Sequence, residues 1–461
     1  MTTTEKLPLL AAIPVLTARV SQVLSAPAGQ EGILHRIEVP IDTVDPMGWL
    51  LAQEEAPRYY WADRRKHFVM AGVGDADVVL PQGATDVDGT FRLMRSRLPQ
   101  RSPSLRYYGG FRFHSGPVKT KRWGKFSEHR FIVPRIEIIQ REKGCFLACN
   151  FMLGTRHANG ETLEATLADI AKMNLEPATR GGRLPAVHNR VDTPDFKQWS
   201  VMVNQVLDAC AENRLEKVVL ARETTFVAEE AIDPVQLLDC LLERTTKAFE
   251  FCFQPVHDRA FVGASPERLF RRSNVLLQSE ALAGTRPRGA TDVEDEAMAS
   301  QLKHSDKEQR EHRFVARVLR EQLKRFCVAV DMEEKPSLLQ LRHCQHLLTR
   351  IEGILSDSLV DAALINTLHP TPAVGGVPRD AALAWLEKHE PFDRGVYAAP
   401  VGWVGYDASE FCVGIRSALV QGENLTLYAG AGIVPGSTPE SEWAEIENKI
   451  ENFMAVLNHE D

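Results

Sequence analysis

Polar and apolar residues alternate with period two over 35–41, and aromatic or β-branched runs bounded by glycine and charge follow at 59–63 and 68–73. The runs at 107–113 and 131–139 continue the pattern, so the chain up to Asn150 predicts several strands of one antiparallel system. Helical spacing of apolar positions takes over at 163–175, 196–213 and 234–247. Strands are predicted again at 217–221, 249–254, 260–263 and 275–282, followed by a long helix over 292–325 with Leu302, Phe314, Val318 and Leu319 among its apolar positions. Late strands fall at 401–404, 410–419 and 425–429. The last helix runs over 439–457, with Thr438 as N-cap and Pro439 at its first position. Strands interrupted by helices without regular alternation predict an α+β fold.

Composition narrows the picture. The chain has 461 residues, 44% apolar and 25% charged, with no low-complexity tract to mark a linker, so it reads as a single domain over 1–461. A net charge of −8 argues against a nucleic-acid binder, which needs a basic surface. No stretch nears the ~20 apolar residues of a membrane span, and no leader peptide is recognisable at the start. Eight cysteines without a C-x-x-C pair give little support to zinc, and several sit in apolar runs, as expected of reduced thiols in the cytoplasm.

Candidate chemistry lies in the C-terminal half. Glu308 and Glu311 are three apart on one predicted helix, and Glu442 and Glu445 three apart on another, so each pair shares a helical face. Carboxylates brought together call for a cation, and oxygen-only ligands suit a hard ion such as Mg²⁺. Each pair alone also fits an ordinary solvated face, and Glu445 with Lys449 an ordinary i,i+4 ion pair. Lys217 opens the apolar run Lys217-Val218-Val219-Leu220-Ala221-Arg222, where partial desolvation would lower its pKa toward that of a general base; a lysine reaching out to water from a strand end fits equally. Glu267, in Gly263-Ala264-Ser265-Pro266-Glu267-Arg268, reads as a turn residue or a buried acid, and His369, in Leu368-His369-Pro370-Thr371-Pro372, as a structural hydrogen bonder or a donor to an anion. Gly284-Thr285 and Gly430-Ala431-Gly432 follow predicted strands, where glycine forms turns or presents backbone N–H groups to an anion. Arg416, within a predicted strand, calls for a carboxylate partner. Paired E-x-x-E motifs also occur in Mg²⁺-dependent diphosphate chemistry, but that reading predicts an all-helical protein, which the strand runs oppose.

Taken in order, these stretches, with Ala283-Gly284-Thr285-Arg286-Pro287-Arg288, Glu390-Pro391-Phe392-Asp393-Arg394-Gly395 and Glu442-Trp443-Ala444-Glu445, resemble the chorismate-utilising enzymes. That family comprises isochorismate, salicylate, anthranilate and aminodeoxychorismate synthases. The resemblance covers 196–461; residues 1–195 match loosely. It implies two large antiparallel β-sheets packed face to face with flanking helices. It also implies Mg²⁺ held chiefly by Glu311 and Glu445, with Glu308 and Glu442 close by. Chorismate would be gripped by Arg416, Lys449 and the backbone of Gly430 and Gly432, with Gly284 and Thr285 lining the pocket.

Within the family, a lysine at Lys217 and a glutamate at Glu267 serve as base and acid for water addition at ring carbon 2 and loss of the carbon-4 hydroxyl, with His369 polarising the pocket. Ammonia-using members lack the lysine, and Ala283 stands where aminodeoxychorismate synthases place a nucleophilic lysine. The resemblance therefore implies isochorismate formation, or as an alternative salicylate formation by later pyruvate elimination. A glutamine amidotransferase partner is not implied, and a monomer is expected. The product's destination, whether a quinone, a siderophore or salicylate, is left open.

Overall fold

The structure, a computed structural model, describes residues 6–26, 31–81, 86–100, 102, 104–114, 121–126, 128–342, 344–357 and 360–458. Among them, twenty strands join through antiparallel pairings into one hydrogen-bonded network, with eleven α-helices around it. The fold class is α+β, as expected. The network branches at the strand His129–Arg141, which pairs with Phe68–Val79 along one edge and with Tyr107–Phe111 and Gly144–Met152 along the other. One arm continues through Arg58–Ala62, Phe249–Val256, Arg259–Ser265 and Ser417–Gln421 to Asn424–Ile433 and Lys217–Ala228. The other runs through Pro400–Val404, Ala408–Val413 and Arg268–Ser273 to Leu276–Pro287 and Cys344–Leu355. Residues before Phe196 are thus laced into the same ladder as those after it.

The alternation read from the sequence becomes the core. Phe131 contacts Phe111 edge-on at 5.0 Å and Phe411 at 6.3 Å, and Phe270 packs on Phe411 at 5.4 Å. These rings are buried, and burial of each large apolar side chain contributes ~1.5–3 kcal/mol.

Three elements depart from expectation. The helix predicted over 292–325 is two, Asp292–His304 and Asp306–Leu323, divided at Ser305. Ser305 leaves helical conformation (ψ 113°), and its hydroxyl accepts from the Glu308 backbone N–H, so a helix-capping residue restarts the helix. The strand predicted over 410–419 breaks at Gly414–Arg416, where Arg416 takes a left-handed conformation (φ 51°) that no ladder accommodates. The N-terminal apolar residues form a helix, Leu9–Leu24, whose buried face is Leu9, Ala12, Leu16, Val20 and Leu24. All eight cysteines are free thiols. No helix among the described residues is long and apolar enough to cross a membrane.

Candidate active site

Four strands and two helices converge where the arms end: β1 (Lys217–Ala228), β2 (Leu276–Pro287), β3 (Cys344–Leu355), β4 (Asn424–Ile433), α1 (Asp306–Leu323) and α2 (Pro439–Leu457). They enclose a cavity of about 180 Å³. Lys217, Glu267, Gly284, Thr285, Glu308, Glu311, Arg416, Gly430, Gly432, Glu442, Glu445 and Lys449 all line it. Twelve of the thirteen expected residues, scattered over more than 230 positions, therefore share one wall or another of a single space.

Lys217 enters from the first position of β1 and is buried. Its Nζ donates to Glu311 Oε1 at 2.6 Å. Gly432 on β4 makes room for this stem: a Cβ there would sit 2.7 Å from Lys217 Cε. The Lys217 cation beside Glu311 holds that carboxyl below the usual range, against burial and the nearby Glu445, which both push it up.

Glu267 lies in the two-residue link between Arg259–Ser265 and Arg268–Ser273, where the chain crosses from one arm to the other. Its backbone is fixed there: its C=O accepts from Val413 N–H at 3.0 Å, and Ser265 Oγ donates to Val413 C=O at 2.6 Å. Burial, helped by the negative Glu280, pushes the Glu267 carboxyl up to about 8, while Lys217 and Lys449 oppose the shift. The acid is therefore largely protonated at neutral pH.

Cations also meet Glu308 and Glu445. Arg286 Nη1 donates to Glu308 at 2.8 Å, and Lys449 Nζ to Glu445 at 2.6 Å and to Gly430 C=O at 2.8 Å. Gly284 is left-handed (φ 77°), and a Cβ there would lie 3.0 Å from Glu308 Oε2, so glycine serves both conformation and space. Arg416, which the sequence pairs with a carboxylate, instead donates to the Lys449 backbone C=O at 2.8 Å, tying the strand break to α2. The four glutamates offer an oxygen-only donor set of the kind a hard cation takes. As the side chains stand, no three Asp, Glu, His or Cys groups among the described residues close into a ready-made metal cage.

His369 does not join this cavity. It is buried elsewhere, with Nε2 2.9 Å from the Phe113 C=O and its ring edge-on to Phe113 at 5.5 Å. Burial pushes its pKa down to about 3, so it is a neutral structural hydrogen bonder. The cavity's histidine is His346 on β3, missed in the sequence. Its Nδ1 lies 3.0 Å from Thr285 Oγ1 and 3.3 Å from Gly284 C=O. Burial, with Arg416 and Lys449 nearby, pushes it down to about 3, so it too is neutral. The signal was present: Gln345-His346 directly precedes the apolar pair Leu347-Leu348 in a strand, and a buried polar pair in a strand demands an explanation. Tyr397 and Tyr428, stacked at 5.3 Å, also line the cavity.

A family model described as chorismate binding enzyme matches residues 20–458. The chain is 34% identical to isochorismate synthase 2, chloroplastic, of Arabidopsis thaliana, over 98% of this chain and 85% of that one. It is 31% identical to isochorismate synthase MenF of Escherichia coli K12, over 98% and 99% of the two chains. The solved structure of the menaquinone-specific MenF of Escherichia coli superimposes with a TM-score of 0.85 at 29% identity, covering 97% of this chain and all of that one.

Proposed function

We propose, for a chain that belongs to the chorismate-binding enzyme family and has isochorismate synthase activity, that the reaction runs between Lys217 and Glu267 across the converging ends of the two arms. The observation that carries this division of labour is one cavity holding a buried amine and a carboxyl kept protonated by burial. An acid and a base whose environments differ in this way are what addition of water at one carbon and loss of hydroxide at another require.

In the forward direction, Lys217 in its neutral form takes a proton from water as the oxygen bonds to ring carbon 2. The two ring double bonds shift, the carbon-4 oxygen bond breaks, and Glu267 gives its proton to the departing hydroxyl, which leaves as water. One water enters and one leaves, so substrate and product are isomers. The structure sets one precondition. Lys217, whose Nζ donates to Glu311 at 2.6 Å, must first shed a proton so that its lone pair is free to accept one from water.

Glu311 and Glu445 would hold Mg²⁺, with Glu308 and Glu442 in support, and the ion would neutralise and orient the substrate's ring carboxylate. Lys449 and Arg416, joined at the middle of α2, are placed to receive carboxylate charge, and Thr285 and His346 to donate or accept at the ring edge. The cavity is complete within one chain, which suits a monomer working without an amidotransferase subunit. The near-complete mutual coverage with the menaquinone-specific MenF favours a cytoplasmic role in supplying a quinone precursor. The test is incubation of pure protein with chorismate and Mg²⁺ and chromatographic separation of products. Isochorismate is expected; salicylate with equimolar pyruvate would reassign the activity to a salicylate synthase, and no product would remove the assignment.

A further inference from the structure

Residues 217–222 of β1 hold Lys217 and pass along the cavity as far as Val219, yet one edge of this strand lacks a continuous neighbour. On that edge Gly376 and Val377 pair with Val218 and Lys217, and Gly375 C=O accepts from Val219 N–H at 2.9 Å. The next strand on the same side, Val187–Thr193, begins its pairing only at Glu223. Between them the Val219 C=O and Ala221 N–H face no strand.

Two side chains fill the gap. Glu390 Oε1 accepts from Ala221 N–H at 3.0 Å, and Arg394 Nη2 donates to Val219 C=O at 2.6 Å. The two are joined to each other, Arg394 Nε to Glu390 Oε2 at 2.8 Å and Nη2 to Oε1 at 2.5 Å. Arg394 Nη1 also donates to Val374 C=O at 2.9 Å, and the guanidinium lies 4.3 Å from the centre of the Phe113 ring. Both charged residues are buried, Glu390 at 6% and Arg394 at 4% exposure. A buried ion pair is weak evidence for stability in itself. This one is aimed at backbone, and two of the three groups it satisfies belong to Val219 and Val374, which both line the catalytic cavity, the third being the Ala221 N–H.

We propose that Glu390 and Arg394 are positioning residues for the reaction: as a side-chain patch in a broken ladder, they set the height of Lys217 over the ring and hold the Val374 wall against it. The proposal rests on Lys217 being the base. A displacement near 1 Å at a reacting group is enough to cost about a hundredfold in rate. The substrate's carboxylates are gripped from α2 and the Arg416 turn, which the patch does not touch, so the loss falls on turnover and not on binding.

The experiment compares Arg394→Ala, Arg394→Lys, Glu390→Gln and Lys217→Ala at saturating Mg²⁺. Arg394→Ala is expected to lose about a hundredfold in kcat with KM for chorismate within about threefold. Guanidinium at tens of millimolar is expected to restore a good part of that loss, entering through the cavity of about 50 Å³ that Arg394 lines beside Phe392, whereas equal NaCl or urea restores nothing. Arg394→Lys and Glu390→Gln, milder for folding, are expected to lose about tenfold in kcat with the same split. Turnover within twofold of wild type in the Arg394 and Glu390 variants, with Lys217→Ala inactive, overturns the patch and leaves the base in place. Parallel loss of kcat, substrate binding and thermal midpoint in all three, without guanidinium rescue, makes the pair merely structural and also overturns it. A Lys217→Ala enzyme with normal turnover removes the base, and the patch's role with it.

Discussion

Glu267 and Glu311 line one cavity, and their carboxyl groups are pushed in opposite directions. Glu311 projects from the first turns of α1 and meets the Lys217 amine at 2.6 Å, which holds it below the ordinary carboxylate range. Glu267 hangs from a strand crossing, where the nearest strong influence besides burial is another carboxylate, Glu280, and it is pushed up to about 8. Glu280 itself is engaged by Arg268 at 2.7 Å and by Arg64, so the cations that a buried acid would recruit are already spent on its neighbour. The contrast shows that in this cavity a side chain's task follows from who reaches it. A glutamate bonded by an amine is kept as a charged oxygen donor, and a glutamate buried beside another carboxylate is kept as an acid.

Removing either end of the proton path tests the contrast most severely. Lys217→Ala and Glu267→Gln are each expected to lower kcat by about 10²–10⁴ while circular dichroism stays unchanged. A Glu267→Gln enzyme within tenfold of wild type would show that burial of this carboxyl serves something other than proton donation. The pH dependence carries a sign. Folded Glu267 holds its proton up to about 8, whereas the unfolded chain gives it up near the usual carboxylate value of 4.5. Between these values the folded state binds more protons, so this group's contribution to stability falls as pH rises. Activity should decline as pH passes through about 8, and the thermal midpoint of Glu267→Gln should exceed wild type at pH 9, with the gap narrowing toward pH 5. A gap that widens toward pH 5 would reverse the assigned shift.

The Glu311 side of the comparison is sharpened by metal. Glu311→Gln keeps the shape but gives up the charge, so the Mg²⁺ concentration for half-maximal activity is expected to rise at least about tenfold, with matching weakening in calorimetric titration of the ion alone. An unchanged titration would leave Glu311 as a partner of Lys217 and nothing more. His346→Gln follows in size. Its ring bonds Thr285 at 3.0 Å and faces the cavity, and about a tenfold loss in kcat/KM is expected.

The fold class was legible because strand alternation and helix-face spacing are local properties of the chain, whereas the site was gathered by the resemblance of its short motifs, taken in order, to the chorismate-utilising enzymes. Glu308 and Glu311, and Glu442 and Glu445, stand on helix faces as spacing alone requires. What escaped lay outside hydrophobic periodicity. Ser305 divides a helix because its hydroxyl caps Glu308, and the apolar rhythm on either side continues without a visible break. Arg416 leaves the ladder through a positive φ that its neighbours' strand propensity conceals. The branching of the two arms at His129–Arg141 depends on which edges meet, which no window of sequence contains.

The smallest expected effect separates the two histidines. The motif around His369 places it among the reactive residues, but in the fold its Nε2 is committed to the Phe113 C=O at 2.9 Å, outside the cavity. His369→Gln preserves a donor of similar reach, so kcat and KM should each stay within about threefold, the scale of a lost neutral hydrogen bond. Any change should show first in the thermal midpoint, because the Phe113 carbonyl is buried and an unsatisfied carbonyl is costly. Phe113 also carries the ring under Arg394, so a modest disturbance would travel toward β1 through turnover before it reached substrate affinity. A large, selective loss of substrate binding in His369→Gln would mean that the ring turns into the cavity when substrate arrives, and would return to His369 the role that His346 now holds.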